Sequence, residues 1–297
     1  MYQNIELRLN NRGFFYEMKK LKIGIQGIKA SFHDMATRAY FTDGEIELVE
    51  IRDFRTQAEA VANGEVDYAV MAIENTIAGS ILPNYGFIEE YNLKILGEEY
   101  LRISMQLMAL PGTKLKDIEE VISHPMALRQ SMKFLREYPD WKISEVSDTA
   151  LSAKDIKELG LRGVAAIAGS LAAEVYGLEI IAADIETNKQ NYTRFLILGR
   201  QDENHLRESD KASVRLILSH SPGSLSKALQ VLHEYSINLT KIQSVPIIGQ
   251  PYEYAIHFDV EYTDYLVYSS AMEKIAGLVK EIQVLGVYKK GAAPVKV

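Results

Sequence analysis

The sequence contains no cysteine among its 297 residues. Disulfide bonds, thiolate nucleophiles and cysteine-ligated metals are therefore excluded, and the composition fits a reducing compartment such as the cytoplasm. The sequence also lacks any apolar run near the ~20 residues that span a bilayer. Its first 20 residues carry no uninterrupted apolar segment of the kind found in signal peptides. We therefore expect a cytoplasmic protein that does not engage a membrane.

Positive charge is scarce in this chain. The formal net charge is −7, and lysine and arginine form no dense block, which argues against nucleic acid as a partner. The histidines show no HxxxH or HExxH spacing, and neither GxGxxG nor a P-loop pattern occurs. We therefore expect no metal site and no cofactor. An anionic ligand would need N–H donors and positive charge gathered locally, against the field of the whole protein.

Short apolar runs alternate with amphipathic stretches between residues 22 and 200. Glycine directly follows the last turn of three of these stretches, a common way to end a helix. Alternating elements with nearly continuous apolar strands predict an α/β fold with a mostly parallel sheet. The predicted strands are 21–26, 46–51, 67–73, 164–168, 178–183 and 195–199, and the predicted helices are 55–64, 147–160 and 169–177.

A second set of strands is predicted in the middle of the chain, at 103–110, 119–123 and 141–146. Two sets in series indicate two lobes, and a cleft between lobes is a common place for a small-molecule site. We expect an N-terminal extension at 1–20, a first lobe at about 21–97 plus 186–200, and a second lobe at about 98–185.

The pattern of predicted strands and helices changes in the last part of the chain. Residues 201–212 are polar and without periodicity, so we expect a linker there. Residues 213–290 read as strand, helix, strand, strand, helix and strand. That βαββαβ order is the ferredoxin-like unit.

Polar residues interrupt the apolar pattern first at 73–80, IENTIAGS. Glu74, Asn75 and Thr76 directly follow a predicted parallel strand, and ligands bind at the carboxyl ends of such strands. The alternative is a turn that caps a helix. The segment alone does not separate the two interpretations.

A second polar segment is SHPMALRQS at 123–131. Pro125 suits the first turn of a helix, whose free N–H groups would point towards Ser123 and His124. Gln130 would face the same cleft. The alternative is a simple serine N-cap beside a surface histidine.

The third polar segment is NYTRF at 191–195. Asn191, Thr193 and Arg194 stand at the mouth of an apolar strand, where polar residues also collect for no functional reason. Thr193 offers a compact hydroxyl, and the Arg194 guanidinium matches a carboxylate through two parallel hydrogen bonds. We interpret His33, in GIKASFHD, as a solvated loop residue.

Taken in order, these three segments and the C-terminal SPGSLSKALQVLHEYSINLTKIQSVP resemble prephenate dehydratase, from about Lys22 to Tyr288. The resemblance implies an α/β fold with a two-lobed, periplasmic-binding-protein-like catalytic domain and an inter-lobe cleft. A βαββαβ ACT regulatory domain would follow. It implies catalytic roles for Thr193, Asn75, Ser123 and Gln130, and substrate binding by Arg194, Phe195, Glu74, Thr76, Ser31 and His124.

The chain departs from the family pattern at several positions. In the glycine-rich segment 27–33, isoleucine, alanine and histidine stand at 28, 30 and 33 where the family has proline, glycine and serine. Ala72 stands where proline is usual, and Ala78 where an acid is common. These changes affect the shape of the pocket, whereas Asn75 and Thr193 are retained.

The implied reaction converts prephenate into phenylpyruvate, water and CO2, without a cofactor, because aromatisation drives it. Thr193 is too weak an acid to deliver a full proton, so we interpret it as a hydrogen-bond donor to the leaving oxygen. Arg194 is the expected carboxylate clamp, although neighbouring residues of a strand face opposite sides. Two alternatives stay open: arogenate as the substrate, giving phenylalanine directly, and a non-catalytic sensor of aromatic ligands.

The resemblance to ACT domains implies feedback by L-phenylalanine, bound between two copies of the chain in a homo-oligomer, a dimer or a tetramer. QSVP at 243–246 replaces the usual ESRP, which removes two charges and leaves affinity for the effector open. The implied effector residues are Gly223, Ser224, Leu225, Asn238, Leu239, Gln243 and Ser244.

Overall fold

The structure is a computed structural model, and it describes residues 5–10, 13–18, 20–201, 208–219, 221–247, 249–250 and 253–292. In the expected N-terminal extension, β1 (Ile5–Asn10) and β2 (Gly13–Met18) pair as an antiparallel hairpin. The middle of the expected linker at 201–212 lies outside the described residues.

The first lobe is a six-stranded sheet with three helices. Its strands are β3 (Leu21–Gln26), β4 (Ile46–Ile51), β5 (Tyr68–Asn75), β6 (Gly79–Ser80), β7 (Lys94–Arg102) and β13 (Tyr192–Gly199). Their order is β4-β3-β5-β13-β7, with β6 paired to β5. β3 is parallel to both neighbours, whereas β13 is antiparallel to β5 and β7. The helices are α1 (Phe32–Tyr40), α2 (Phe54–Asn63) and α3 (Leu82–Glu90).

The second lobe repeats this plan with five strands in the order β10-β9-β11-β8-β12. They are β8 (Gln106–Ala109), β9 (Glu120–Ser123), β10 (Lys142–Glu145), β11 (Val164–Ala168) and β12 (Glu179–Ala182). Its helices are α4 (Pro125–Gln130), α5 (Met132–Leu135), α6 (Thr149–Leu159) and α7 (Ser170–Tyr176). As expected, α6 and α7 end at Gly160 and Gly177, both in the left-handed region.

The C-terminal unit is an antiparallel sheet in the order β15-β16-β14-β17 with two helices. Its elements are β14 (Lys211–Ile217), α8 (Ser224–Glu234), β15 (Asn238–Pro246), β16 (Tyr254–Glu261), α9 (Tyr265–Ala276) and β17 (Glu281–Tyr288). One face of the sheet packs against both helices. The other face packs on the first lobe, where Leu285 and Tyr288 join its hydrophobic core.

The predicted fold class is confirmed: mixed α/β lobes followed by a βαββαβ unit. Three details differ from the sequence-based expectation. β7 was not predicted, and it carries the first-lobe sheet to Arg102, past the expected boundary at 97. β13 begins at Tyr192, so Thr193 and Arg194 belong to the strand itself. His33 lies in helix α1 and not in a loop.

Candidate active site

A cavity of about 420 Å³ lies between the two lobes. The first lobe contributes Gln26, Ser31, Phe32, His33, Phe54, Ala72, Asn75, Ala78, Ile81, Thr193 and Phe195 to its wall. The second lobe and the crossing segments contribute Ile103, Met105, His124, Met126, Ala127, Gln130, Ser147, Asp148 and Thr149. The walls are largely apolar, with a few converging polar groups, which is typical of small-molecule sites.

The centre of the cavity wall is the pair Asn75 and Thr193, which face each other across β5 and β13. The Asn75 amide is fixed because its Oδ1 accepts from the backbone N–H groups of Ile77 (2.9 Å) and Ala78 (2.8 Å). Its Nδ2 therefore donates, and Thr193 Oγ1 accepts at 3.0 Å. A threonine hydroxyl has one proton to give. The Thr193 proton is consequently left for a group in the cavity.

The amide network crosses from the first lobe to the second through Asn191. Asn75 Nδ2 also donates to Asn191 Oδ1 at 2.8 Å, and Asn191 Nδ2 donates to Gln130 Oε1 at 2.9 Å. Asn191 is fully buried. Because Gln130 accepts through Oε1, its Nε2 group is directed to other partners, and Gln130 lines the cavity.

The electrostatics of the cavity come from dipoles and not from cationic chains. Among the described residues, no lysine or arginine lines it. Helices α1 and α6 begin at the cavity wall, with Ser31 and Asp148 as their N-caps, and helix N-termini carry partial positive charge. His124 accepts from Met126 N–H through Nδ1 at 3.2 Å, which leaves Nε2 to carry the proton. The cavity can therefore hold an anion without a formal positive charge.

Asp148 is the one carboxyl group in the wall of the cavity, among the described residues. One oxygen caps helix α6 by accepting from Leu151 N–H at 2.9 Å. The other lies against Gly27 of the opposite lobe, where a Cβ would come within 2.7 Å of it. Burial raises the pKa of Asp148 above its ordinary value. From the sequence, Asp148 is placed only within the helix predicted at 147–160.

His33 is half-buried and lines the cavity, so its interpretation as a solvated loop residue was wrong. Its ring lies 5.0 Å from the Phe195 ring in an edge arrangement and 5.7 Å from the Phe54 ring. Burial lowers the pKa of His33 to about 4. His33 is therefore a neutral, aromatic part of the wall near pH 7.

Two predicted site residues, Ser123 and Thr76, do not line the cavity. Ser123 is fully buried, and its hydroxyl donates to the Ile167 carbonyl at 2.6 Å, which ties β9 to β11. Thr76 donates to the Gln190 carbonyl at 2.9 Å and accepts from Tyr192 N–H at 3.0 Å. Both hydroxyls hold backbone segments next to the network, so direct contact with a ligand is not supported for either.

Arg194 and Glu74 face away from the cavity, which corrects the prediction that they bind the substrate. Strand side chains alternate, and Thr193 and Asn75 occupy the cavity side. Arg194 is 3% exposed and donates to Glu98 Oε2 at 2.7 Å and to Asp259. The Glu74 carboxylate pairs with Lys241. Phe195, two residues on from Thr193, lines the cavity.

Sequence analysis noted Asn191 at the mouth of β13 but did not connect it to Gln130, because the two residues belong to different lobes. It also missed Ser147, Asp148 and Thr149 as wall residues. The available signal was the position of all three at the start of α6 in the predicted α/β pattern, since loops after strands gather at one edge of a sheet.

The predicted effector residues are only partly brought together in one chain. Ser224 lines a cavity of about 520 Å³, together with Leu218, Ser219, Ser221, Pro222, Glu253, Tyr254 and Ile256. Asn238 and Leu239 lie at the other end of the sheet, paired with Glu261 and Val260. β15, which carries them, is an edge strand.

Within the described residues, no group of three or more His, Asp or Glu side chains is arranged to hold a metal ion. None of the helices in this part of the chain combines the length and apolar character needed to cross a bilayer.

Comparison with known proteins identifies the family. The family profile "Prephenate dehydratase" matches residues 23–203, more than half of the chain. The chain is 37% identical over 253 residues to "Arogenate dehydratase/prephenate dehydratase 2, chloroplastic" of Arabidopsis thaliana, an alignment that covers 84% of this chain and 64% of that relative. The chain thus spans a little less than two thirds of the relative's length.

Two solved structures resemble the whole fold. A prephenate dehydratase from Arthrobacter aurescens in complex with L-Phe gives a TM-score of 0.78 at 26% identity, covering 91% of this chain and 90% of that chain. GqqA, described as a novel type of quorum quenching acylase, gives a TM-score of 0.82 at 28% identity, covering 91% and 98%. The family profile, the relative and the fold agree, and this chain belongs to the prephenate dehydratase family.

Proposed function

We propose that the chain converts prephenate into phenylpyruvate, CO2 and water in phenylalanine biosynthesis. The observation that carries this proposal is the Thr193 hydroxyl, which accepts from a fixed Asn75 amide and keeps its own proton for the cavity. A donor held in advance at the leaving oxygen stabilises the charge that develops there in the transition state.

The reaction balances with one proton. The bond from the ring to its carboxylate breaks and releases CO2, its electron pair enters the ring, and the ring C–O bond breaks on the opposite side. The prephenate dianion and one proton thus give the phenylpyruvate anion, CO2 and water. No electrons leave the system, so the step needs neither a redox cofactor nor a covalent nucleophile.

We assign different interactions with the substrate to different cavity residues. Thr193 donates to the departing hydroxyl, held by Asn75. Gln130 and His124, which line the cavity from the second lobe, would donate to carboxylates of the substrate. The leaving carboxylate faces the apolar side of the cavity near Phe195, where weak solvation of the anion favours loss of CO2.

Arogenate is the second candidate substrate, because the Arabidopsis relative is named for both dehydratase activities. Arogenate carries an amine where prephenate carries a keto group, so it presents an extra positive charge to the cavity. Asp148 is the described wall residue that could pair with that charge. Prephenate remains the proposed substrate, since the family profile that matches residues 23–203 is that of prephenate dehydratase.

Steady-state assays of the purified chain with each substrate test the proposal. We expect phenylpyruvate from prephenate with a higher kcat/KM than for phenylalanine from arogenate. Formation of phenylalanine alone would reverse the substrate assignment. Binding of aromatic ligands without turnover of either compound would indicate the non-catalytic sensor.

We also propose that residues 213–290 form an ACT regulatory domain that binds L-phenylalanine between two copies of the chain. The Arthrobacter structure is a complex with L-Phe, and Ser224 opens a cavity of suitable size here. Antiparallel pairing of edge strand β15 with a second β15 would bring opposite ends of the two strands together. Asn238 of one copy would then approach the Ser224 loop of the other. Ile242, 46% exposed on β15, would be covered.

Calorimetric titration of phenylalanine, with activity and molar mass followed in parallel, tests this regulatory proposal. We expect heat of binding, inhibition and a dimer or larger oligomer. A monomeric protein that neither binds phenylalanine nor is inhibited by it at millimolar concentration would mean that the chain, with QSVP at 243–246, has lost the effector site.

A further inference from the structure

The strand pair that carries Asn75 and Thr193 has a rear face, directed away from the cavity. Glu74 and Arg194 are paired across β5 and β13 on this rear face. Each is adjacent in sequence to a residue of the proposed catalytic pair. A displacement of either rear-face side chain would therefore act on a residue directly next to Asn75 or Thr193 in the sequence.

Arg194 is held on the rear face by all three of its guanidinium nitrogens. Nε donates to Glu98 Oε2 at 2.7 Å, and Nη2 donates to the Tyr288 hydroxyl at 3.1 Å. Nη1 donates to Asp259 and, at 3.4 Å, to Glu74. Because the guanidinium is planar and rigid, this set of partners fixes its position and its orientation.

Two lysines complete the arrangement. Lys211 Nζ donates to both oxygens of Glu98, at 2.9 and 3.0 Å, and Lys241 pairs with Glu74. Three positive and three negative groups balance, which is how charged side chains can be buried together. We call this set the charge cluster; its members are Glu74, Glu98, Arg194, Lys211, Lys241 and Asp259.

The charge cluster joins two parts of the chain. Glu74, Glu98 and Arg194 come from the first lobe, whereas the other three members come from the C-terminal sheet. Asp259 is fixed within that sheet, because its Oδ1 accepts from Ser213 at 2.6 Å and Ser213 in turn contacts the Tyr288 hydroxyl at 2.7 Å. The C-terminal unit thus supplies a rigid carboxylate to the back of the site strand.

We infer that Arg194 and Asp259 are positioning residues that make the C-terminal unit a structural part of the active site. The rate predicted from this inference rests on the proposed function. The register of β13 against β5 shifts between Arg194 and Phe195, whereas β13 stays in register with β7 from Tyr192 to Ile197. The ladder with β5 is therefore interrupted directly after Arg194. At that point the charge cluster, and not strand pairing alone, sets where the Thr193 hydroxyl lies.

Stability is a weaker explanation for these charges. Burying an ion pair is often no more stabilising than packing hydrophobic residues of similar volume. A six-membered cluster instead imposes one geometry, because each carboxylate has a defined partner. Misplacement of a reacting group by ~1 Å can cost about 100-fold in rate. A cluster that fixes the position of β13 next to Thr193 therefore matters for the rate even where it adds little stability.

Lys241 extends the charge cluster to β15, the strand that also carries the proposed effector contacts Gln243 and Ser244. A shift of β15 on effector binding would move Lys241 and hence its partner Glu74. Asn75 follows Glu74 directly. The charge cluster is therefore a short physical connection between effector strand and catalytic amide.

Asp259→Asn tests the inference, because it removes one charge while keeping the size of the side chain. We expect kcat for prephenate to fall roughly 10- to 100-fold with KM within about twofold. Hydrogen exchange at the backbone amides of 190–195 should become faster, a readout that needs no substrate. Glu234→Gln is the matched control, since it breaks a half-exposed ion pair with Lys274 in the same unit, remote from the cluster. It should change neither quantity.

The outcomes separate the two proposals. If wild-type protein fails to turn over prephenate, the proposed function fails, and hydrogen exchange still decides the positioning role. A folded Asp259→Asn protein with wild-type kcat and wild-type exchange at 190–195 would overturn the inference. If Asp259→Asn does not fold, Lys241→Gln at the more exposed edge of the cluster takes its place, with the same two readouts and the same criteria.

Discussion

At the scale of single residues, Asp148 gives the cavity a dependence on pH. Its pKa is already raised by burial, and an anion bound nearby raises it further, because negative charge disfavours the carboxylate. Binding of the anionic product phenylpyruvate should therefore take up protons at a pH above the ordinary aspartate pKa. Titration calorimetry in two buffers of different ionisation enthalpy measures this uptake.

Asp148→Asn should reduce the proton uptake while leaving helix α6 intact, since asparagine caps a helix as well as aspartate does. Asp53→Asn is the matched control. Asp53 caps helix α2 in the same way, through Thr56 N–H at 2.9 Å, but lies outside the cavity. Equal proton uptake by wild type and Asp148→Asn would show that the Asp148 carboxyl does not respond to the ligand.

The residue scale also shows what a sequence can predict about a site. The polar segments that interrupt the apolar pattern include Asn75, Gln130 and Thr193, and the structure brings all three to the wall of one cavity, because strand ends gather at one edge of a sheet. Arg194 was misassigned because a chemically suitable side chain can still point to the wrong face. Its true partners, Glu98 and Asp259, are distant in the sequence, and no local pattern connects them to it.

At the scale of elements, β7 shows why an apolar pattern can fail. The segment KILGEEYLR contains two adjacent glutamates, which read as solvent-exposed. Glu98 is nevertheless 2% exposed, because Arg194 and Lys211 neutralise it. The polar residues of β14 alternate with apolar ones, and their burial against the first lobe depends on residues elsewhere in the chain.

β17 and β7 approach closely enough to require glycine at position 286. A Cβ there would overlap the backbone carbonyl oxygen of Ile95. The backbone cannot move aside as easily as the end of a flexible side chain. Gly286→Ala should destabilise the protein by about 1–3 kcal/mol, the usual cost of overpacking. Thermal and denaturant unfolding measure the change.

Gly277→Ala is the control for that substitution. Gly277 has φ −71° and ψ −10°, within the range of any residue, and the nearest atom to an added Cβ is 3.5 Å away. Stability should be unchanged or slightly higher, because alanine reduces the freedom of the unfolded chain. Similar losses in both variants would show that the close contact between β17 and β7 is not what requires glycine at 286.

At the scale of the whole molecule, the interface between the first lobe and the C-terminal unit should become less stable in acid. Burial alone would raise the pKa of Asp259, but Arg194 and Ser213 outweigh it and hold the pKa below the ordinary value of 3.8. A carboxyl whose pKa is lower in the folded state stabilises it above the unfolded-state pKa. That contribution is lost as pH falls from about 4 through the lower folded-state value.

Unfolding free energies of wild type and Asp259→Asn, measured from pH 7 to pH 3, test this dependence. The variant should be less stable by about 3–5 kcal/mol at neutral pH, because it removes one of the buried carboxylates that pair with Arg194 and leaves the charge cluster with one uncompensated positive charge. The gap should stay constant down to about pH 5 and narrow below about pH 4. A gap that is unchanged or wider at pH 3 would contradict the assigned charge state of Asp259.

The proposed activity depends on the hydroxyl of Thr193. Thr193→Val keeps the shape of the side chain and removes only the donor, while Asn75 retains Asn191 and the Tyr192 carbonyl as acceptors. The most direct measurement is the kcat for prephenate of Thr193→Val against wild type, with folding verified by unfolding midpoint. We predict a fall of about 10²–10³-fold with KM little changed. A folded variant with near wild-type kcat would contradict the central claim that the Thr193 hydroxyl stabilises the departing oxygen.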